Sequence, residues 1–264
     1  MATEDFLERY GPVALVTGAS SGIGLAFAEE LATRGFDLVV AARRTDRLDA
    51  LAARLHSSRG TITRVVASDL SDPAAPAALL AATEGIAIGL VVSNAGFNVK
   101  GAFERADASA MAKMLTVNCH APMQLAHGFI PRLKARGKGG MIFTASVEGL
   151  IGCPYSTAYA ASKALVISLG EGLWGELHGE GIDVLTLCPG ATESEATAKY
   201  AEQYGMVDKL QPAADVARLA LDDIAEGPTF VPHAHYREMF DKLTAMPRRE
   251  ALVGMAEGLK ASVT

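Results

Sequence analysis

Cysteine is scarce in this chain: Cys119, Cys153 and Cys188 are the whole complement, and none of them forms a CxxC pair. Three isolated thiols cannot build a disulfide framework and point to a reducing compartment. A basic excess is missing too. The 24 Lys and Arg residues face 30 Asp and Glu, a net charge of -6 that leaves no electrostatic footprint for nucleic acid or anionic lipid. Long apolar runs are absent. The most apolar stretch, Ala77 to Val92, is interrupted by Thr83, Glu84 and Gly85 and is too short to span a bilayer. The opening MATEDFLERY lacks the apolar centre of a secretory leader. Repeats, low-complexity blocks and linkers are lacking as well. The expectation is a soluble, cytoplasmic protein with no membrane or nucleic-acid partner.

What is present is a large core. Half of the residues are hydrophobic and 20% are charged, which excludes wholesale disorder. Short apolar runs at Pro12–Val16, Phe36–Ala42, Thr61–Ala67, Ile86–Ser93, Gly140–Ala145, Ile182–Cys188 and Thr229–Val231 read as strands. Their near-continuous hydrophobicity suits strands buried on both faces. Helical patterns lie between them at 22–34, 45–57, 73–83, 107–136, 155–179 and 213–226, with Pro131 expected to kink or shorten the fourth. This alternation predicts an α/β fold: a doubly wound parallel sheet of about seven strands with helices on both faces. One domain over 1–264 is expected, with a core at 12–190 and a lid plus C-terminal helices at 191–264. Within the latter, Glu193 to Gln211 is polar, carries Tyr200, Tyr204 and Met206, and reads as a mobile flap.

The first strand runs into Thr17-Gly18-Ala-Ser20-Ser21-Gly22-Ile23-Gly24, and a helix follows. A strand turning through glycines into a helix N-terminus makes a pyrophosphate site, because free N–H groups and the helix dipole face the anion. The spacing is neither G-x-G-x-x-G nor a P-loop. The same residues satisfy G-x-S-x-G, the elbow of serine hydrolases, with Asp215 and His233 following in order. That Ser20 hydrolase reading is the remote alternative, since the elbow needs several strands upstream and only 17 residues precede Gly18.

The second strand ends in Ala42-Arg43-Arg44, with no carboxylate for a ribose 2′-hydroxyl and two guanidiniums suited to a phosphate. NADP(H) is therefore expected over NAD(H), with Arg43 as the phosphate ligand and Arg44 as a stacker on adenine. Asp69 and the Leu70 amide follow the third strand at the depth of an adenine amino group. Asn94-Ala95-Gly96 closes the fourth strand and Pro189-Gly190-Ala-Thr192 closes the sixth, both where open α/β sheets bind ligands.

Tyr159-x3-Lys163 puts a phenol and an ammonium on one helical face. A free tyrosine titrates near 10, and lowering it by about three units takes about 4 kcal/mol from neighbouring cations. Ser146, at the end of the fifth strand, is able to approach the same substrate oxygen, and Asn118 lies on the preceding helix. Glu148 either faces substrate or caps a loop. His233 and His235 read as surface residues rather than metal ligands, and no metal site is expected. Tyr236, Met239, Phe240 and Met246 read as an amphipathic helix over the core, an interface or a lid.

The ordered set Thr17-Gly-x3-Gly-x-Gly24, Asp69, Asn94-Ala-Gly96, Asn118, Ser146, Tyr159-x3-Lys163 and Pro189-Gly190 resembles the short-chain dehydrogenase/reductase family, in its single-domain Rossmann branch. The resemblance covers residues 12 to about 232. It implies an oxidoreductase interconverting a ketone and a secondary alcohol, with an NAD-preferring alcohol dehydrogenase as the alternative. It implies Tyr159 as acid/base, Ser146 polarising the substrate oxygen, and Asn118 in a proton relay. Lys163 would lower the tyrosine pKa and bind the nicotinamide ribose, and Thr192 would lie near the carboxamide. A small-molecule carbonyl or alcohol substrate follows. So does a homodimer or homotetramer, paired through outward Ala160, Ala164 and Gly172. Two positions depart from the family pattern: Ser93 precedes Asn94 where a second Asn is common, and Ser21 stands where many NADP-dependent members carry a basic residue.

Overall fold

The structure is a computed structural model that describes residues 3–195, 197, 198 and 210–260. Seven strands form one parallel sheet: β1 Val13–Thr17, β2 Asp37–Ala42, β3 Thr63–Ala67, β4 Ile88–Ser93, β5 Gly139–Thr144, β6 Ile182–Leu187 and β7 Thr229–Phe230. Their order is β3-β2-β1-β4-β5-β6-β7. The strand ends lie within two residues of the apolar runs read from the sequence.

Alternate side chains of each strand point to opposite faces, so each strand feeds two cores. Ala14 and Val16 of β1, with Leu38 and Val40 of β2, pack under α1 Thr3–Tyr10, α2 Gly22–Thr33, α3 Thr45–Arg59 and α8 Ala213–Asp222. Leu15, Val39 and Ala41 pack on the other face, under α4 Ala75–Ala82, α6 Ala121–Arg136, α7 Thr157–Leu177 and α9 Ala234–Ala245. The chain winds outward from β1 to β3, then crosses back to lay β4 beside β1. That reversal opens a crevice at the carboxyl ends of β1 and β4.

Four features depart from the sequence reading. Helix α1 carries no signal in the strand–helix alternation; Tyr10 and Arg9 anchor it under the sheet by bonding Asp183 of β6 at 2.5 and 2.6 Å. The long fourth helical pattern is two helices, α5 Ala108–Leu115 and α6, joined by a π turn at Thr116–His120. Helix α6 continues past Pro131 to Arg136, so the proline does not shorten it. A last helix, α10 Arg248–Lys260, follows α9. Tyr236 and Phe240 of α9 are buried against the core, as one reading of that cluster expected. Much of the expected flap, including Tyr200, Tyr204 and Met206, lies outside the described residues. No described helix is long and apolar enough to cross a membrane.

Candidate active site

A cleft of about 380 Å3 lies across the strand ends at the β1/β4 reversal. Its floor at one end is the glycine turn. Thr17 and Asn94 stitch this turn to β4: the Thr17 hydroxyl accepts the N–H groups of Asn94 and Ala95 at 3.0 and 3.1 Å, and the Asn94 amide donates to the Thr17 carbonyl at 3.2 Å. Gly18 has a positive φ of 70°, and a Cβ there would stand 2.9 Å from the Ala95 Cα, so no other residue fits without displacing β4. Ser21 caps α2 without a side-chain hydrogen bond, leaving the first N–H groups of that helix available to an anion.

Gly18, Ser20, Ser21, Gly22 and Ile23 line the cleft, whereas Gly24 packs beneath the turn, where a Cβ would meet the Gly18 carbonyl oxygen at 2.4 Å. Arg43, Arg44, Asp69 and Leu70 line the cleft beyond the glycine turn. Arg43 is exposed and makes no ion pair among the described residues. Asp69 is pushed up by burial, but the Ser71 backbone and hydroxyl, Arg43 and Lys113 together bring its carboxyl below the usual range. Arg44 does not lie free for stacking, as the sequence reading had it. Its guanidinium bonds the Ser20 hydroxyl at 3.1 Å and the Ser21 hydroxyl at 2.7 Å, and pairs with Glu195 at 2.8 Å. The two hydroxyls and the carboxylate draw it onto the glycine turn. The buried Ser68 and Thr144 hydroxyls, both on the cleft wall, have no partner among the described residues. An uncapped helix start, two arginines and these orphaned donors together fit a dinucleotide.

Ala95, Gly96, Ser146, Tyr159, Lys163, Pro189, Gly190 and Thr192 meet at the other end. Tyr159 and Lys163 share the inner face of α7, with the amine 5.6 Å from the centroid of the phenol ring. Lys163 donates to the Thr144 carbonyl at 2.7 Å. Asn118 sits behind the cleft, fully buried at the π turn. Its side chain accepts from the Phe97 N–H at 3.1 Å and donates to the Phe97 carbonyl and the Ser162 hydroxyl at 3.0 and 3.1 Å. A Cβ on Gly96 would press on both Asn118 Oδ1 and Lys163 Nζ, at 3.1 and 3.3 Å. The Thr144 carbonyl, the Phe97 backbone and Glu195 were not anticipated; the first two act through main-chain atoms and leave no mark in the sequence.

Burial and the nearby Glu148 carboxylate push the Tyr159 phenol up, and a hydrogen bond with Ser146 pulls the other way without prevailing. The net direction is upward, opposite to the lowered tyrosine that the resemblance implied. Glu148 is held by Lys100 at 3.0 Å and by the Ser156 hydroxyl. The serine-hydrolase alternative fails here. Ser20 meets Arg44, while Asp215 pairs with Arg218 and His233 caps α9. Among the described residues no three His, Cys, Asp or Glu side chains gather as metal ligands.

Comparison with known proteins places the chain at this point. The short chain dehydrogenase family model matches residues 12–205. The chain belongs to this family. It is 29% identical over 255 residues to 7beta-hydroxysteroid dehydrogenase of Clostridium sardiniense, covering 96% of this chain and 97% of that one. A short-chain dehydrogenase from Sphingobium yanoikuyae, solved with NADPH, superposes with a TM-score of 0.80 at 33% identity, with 96% of each chain covered. A Burkholderia phymatum member solved with NAD superposes at 0.79 with 28% identity, covering 89% of this chain and 93% of that one. The protein is thus a family oxidoreductase acting on CH–OH groups.

Burial depresses the Lys163 ammonium to about 8 from an ordinary 10.5. Between those values the unfolded chain binds the proton that the folded chain has lost, so stability from this group rises with pH. Its cost, about 3 kcal/mol, is complete below pH 8 and gone above about 10.5. Denaturant unfolding from pH 7.5 to 10 should therefore show the wild type gaining on Lys163→Met; parallel curves would mean the amine is not desolvated.

Proposed function

We propose that the protein is an NADP(H)-dependent reductase and dehydrogenase of a bulky, hydrophobic ketone and secondary-alcohol pair, with Tyr159 as acid/base. The observation that carries this reading is the convergence of the Tyr159 phenol, the Ser146 hydroxyl and the Lys163 amine beside an anion-ready glycine turn. The coenzyme, when bound, supplies or accepts the hydride. In reduction, Tyr159 donates its proton to the substrate oxygen while the Ser146 hydroxyl holds that oxygen in place. The raised phenol of Tyr159 keeps its proton in place at neutral pH, the form that reduction needs. Lys163, still mostly protonated at pH 7, holds the nicotinamide ribose and stands behind the phenol, and Asn118 belongs to the relay that restores the proton.

Arg43 supports NADP(H): it is a solvent-facing guanidinium on the cleft wall without an ion-pair partner among the described residues. Gly18, Ser20 to Ile23, Asp69 and Leu70, Asn94 to Gly96, and Pro189, Gly190 and Thr192 hold the remainder of the coenzyme, with Gly24 supporting the turn from beneath. The hydroxysteroid activity named for the Clostridium relative supports a large apolar substrate. Assembly into a homodimer or homotetramer is proposed through the outer face of α7. Ala164 and Gly172 are exposed there, but Ala160 is not, because it shares the inward face with Lys163 and Ile167.

Tyr159→Phe should bind coenzyme nearly as the wild type does and lose about 10²-fold or more of turnover on ketones of this class; retention of a tenth of the rate removes the assignment. NADPH should bind roughly tenfold or more tightly than NADH, a gap that shrinks at high salt and narrows in Arg43→Ala. Fluorescence titration of both coenzymes into both proteins checks this, and equal affinities in the wild type contradict it.

A further inference from the structure

The adenosine end of the cleft holds an anion of the protein's own. Glu195, from the stretch after β6, lies across the two guanidiniums of the β2–α3 junction. One oxygen takes Arg44 Nη1 at 2.8 Å and the other takes Arg47 Nη1 at 2.5 Å. The same Arg44 fork is fixed on the Ser20 and Ser21 hydroxyls of the glycine turn. Two guanidiniums on one carboxylate, one of them braced on the glycine turn, are a donor pair that a phosphate monoester also takes. The backbone carries Glu195 to this place deliberately. Thr192 bridges to Gln211, the Glu193 N–H bonds the Gln211 carbonyl at 2.9 Å, and Ser194 packs over Gly22, where a Cβ would stand 3.3 Å from its own.

Resting on the NADP(H) reading above, we propose that Glu195 is a specificity-determining residue whose carboxylate stands where the coenzyme 2′-phosphate binds. A 2′-phosphate must take Arg44 and Arg47 from Glu195, and a coenzyme with a free 2′-hydroxyl leaves the pair intact. Glu195 therefore opposes NADP(H) and is indifferent to NAD(H). It narrows the discrimination that Arg43 and Arg44 establish, and release of the phosphate lets the carboxylate return to its arginines. All three side chains are substantially exposed, so the competition is modest and weakens with salt.

The test uses the whole enzyme with 2′,5′-ADP and 5′-AMP as competitors of coenzyme, probes that differ only in the 2′-phosphate. Glu195→Gln should tighten 2′,5′-ADP about three- to fivefold and leave 5′-AMP within about twofold. Glu193→Gln removes the same charge two residues away and should move neither. The proposal is overturned if Glu195→Gln leaves 2′,5′-ADP unchanged, tightens both nucleotides equally, or is matched by Glu193→Gln. If the wild type binds 5′-AMP as tightly as 2′,5′-ADP and Glu195→Gln creates no preference, the NADP(H) reading itself fails. A preserved preference that Glu195→Gln does not alter removes the role of Glu195 alone.

Discussion

Asn118 is joined at once to the end of β4 and to α7. Its amide exchanges two hydrogen bonds with the Phe97 backbone and gives a third to Ser162, and the residue is almost wholly buried. Leaving any of these groups unpaired in that setting would cost about 1–3 kcal/mol. The π turn at Thr116–His120 is the local deformation that turns the side chain inward, a use to which such turns are frequently put. Everything chemical in the cleft hangs on this junction. With α7 held against the π turn, Lys163 reaches the Thr144 carbonyl, and Gly96 has to lack a side chain to leave room for Asn118 and Lys163.

The electrostatics of the junction follow from burial. Two titratable groups one helical turn apart are moved in opposite directions, the amine down and the phenol up. Pairs displaced in this way mark sites that hold and move protons. Glu148 adds to what burial does to the phenol. Lys100 and Ser156 hold its carboxylate, and it makes loss of the Tyr159 proton harder. The sequence left its role open between substrate contact and loop cap; in the structure its charge acts on the phenol.

Strand–helix alternation, the glycine turn and the Tyr159-x3-Lys163 spacing were legible because each is a local pattern with a physical period. The β-strands, buried on both faces, announced themselves as continuous apolar runs. Three features were not legible, for one shared reason: they are made by residues distant in the chain. Helix α1 owes its place to Asp183, more than 170 positions away. The π turn coincides with the hydrogen bonds of Asn118 to Phe97 and Ser162, tertiary contacts that no local pattern signals. Arg44 looked like a stacking residue beside Arg43, and only Ser20, Ser21 and Glu195, brought in from two other loops, show where its guanidinium goes.

The central claim is that one step moves a hydride at the coenzyme and a proton through Tyr159. Single-turnover reduction of a bulky ketone, with NADPH deuterated at the transferred position and in both H2O and D2O, tests it most directly. The account predicts that each substitution slows the wild type and that the two effects appear together in the same step. A turnover indifferent to the coenzyme deuterium, or a D2O effect of the same size in Tyr159→Phe, would contradict it.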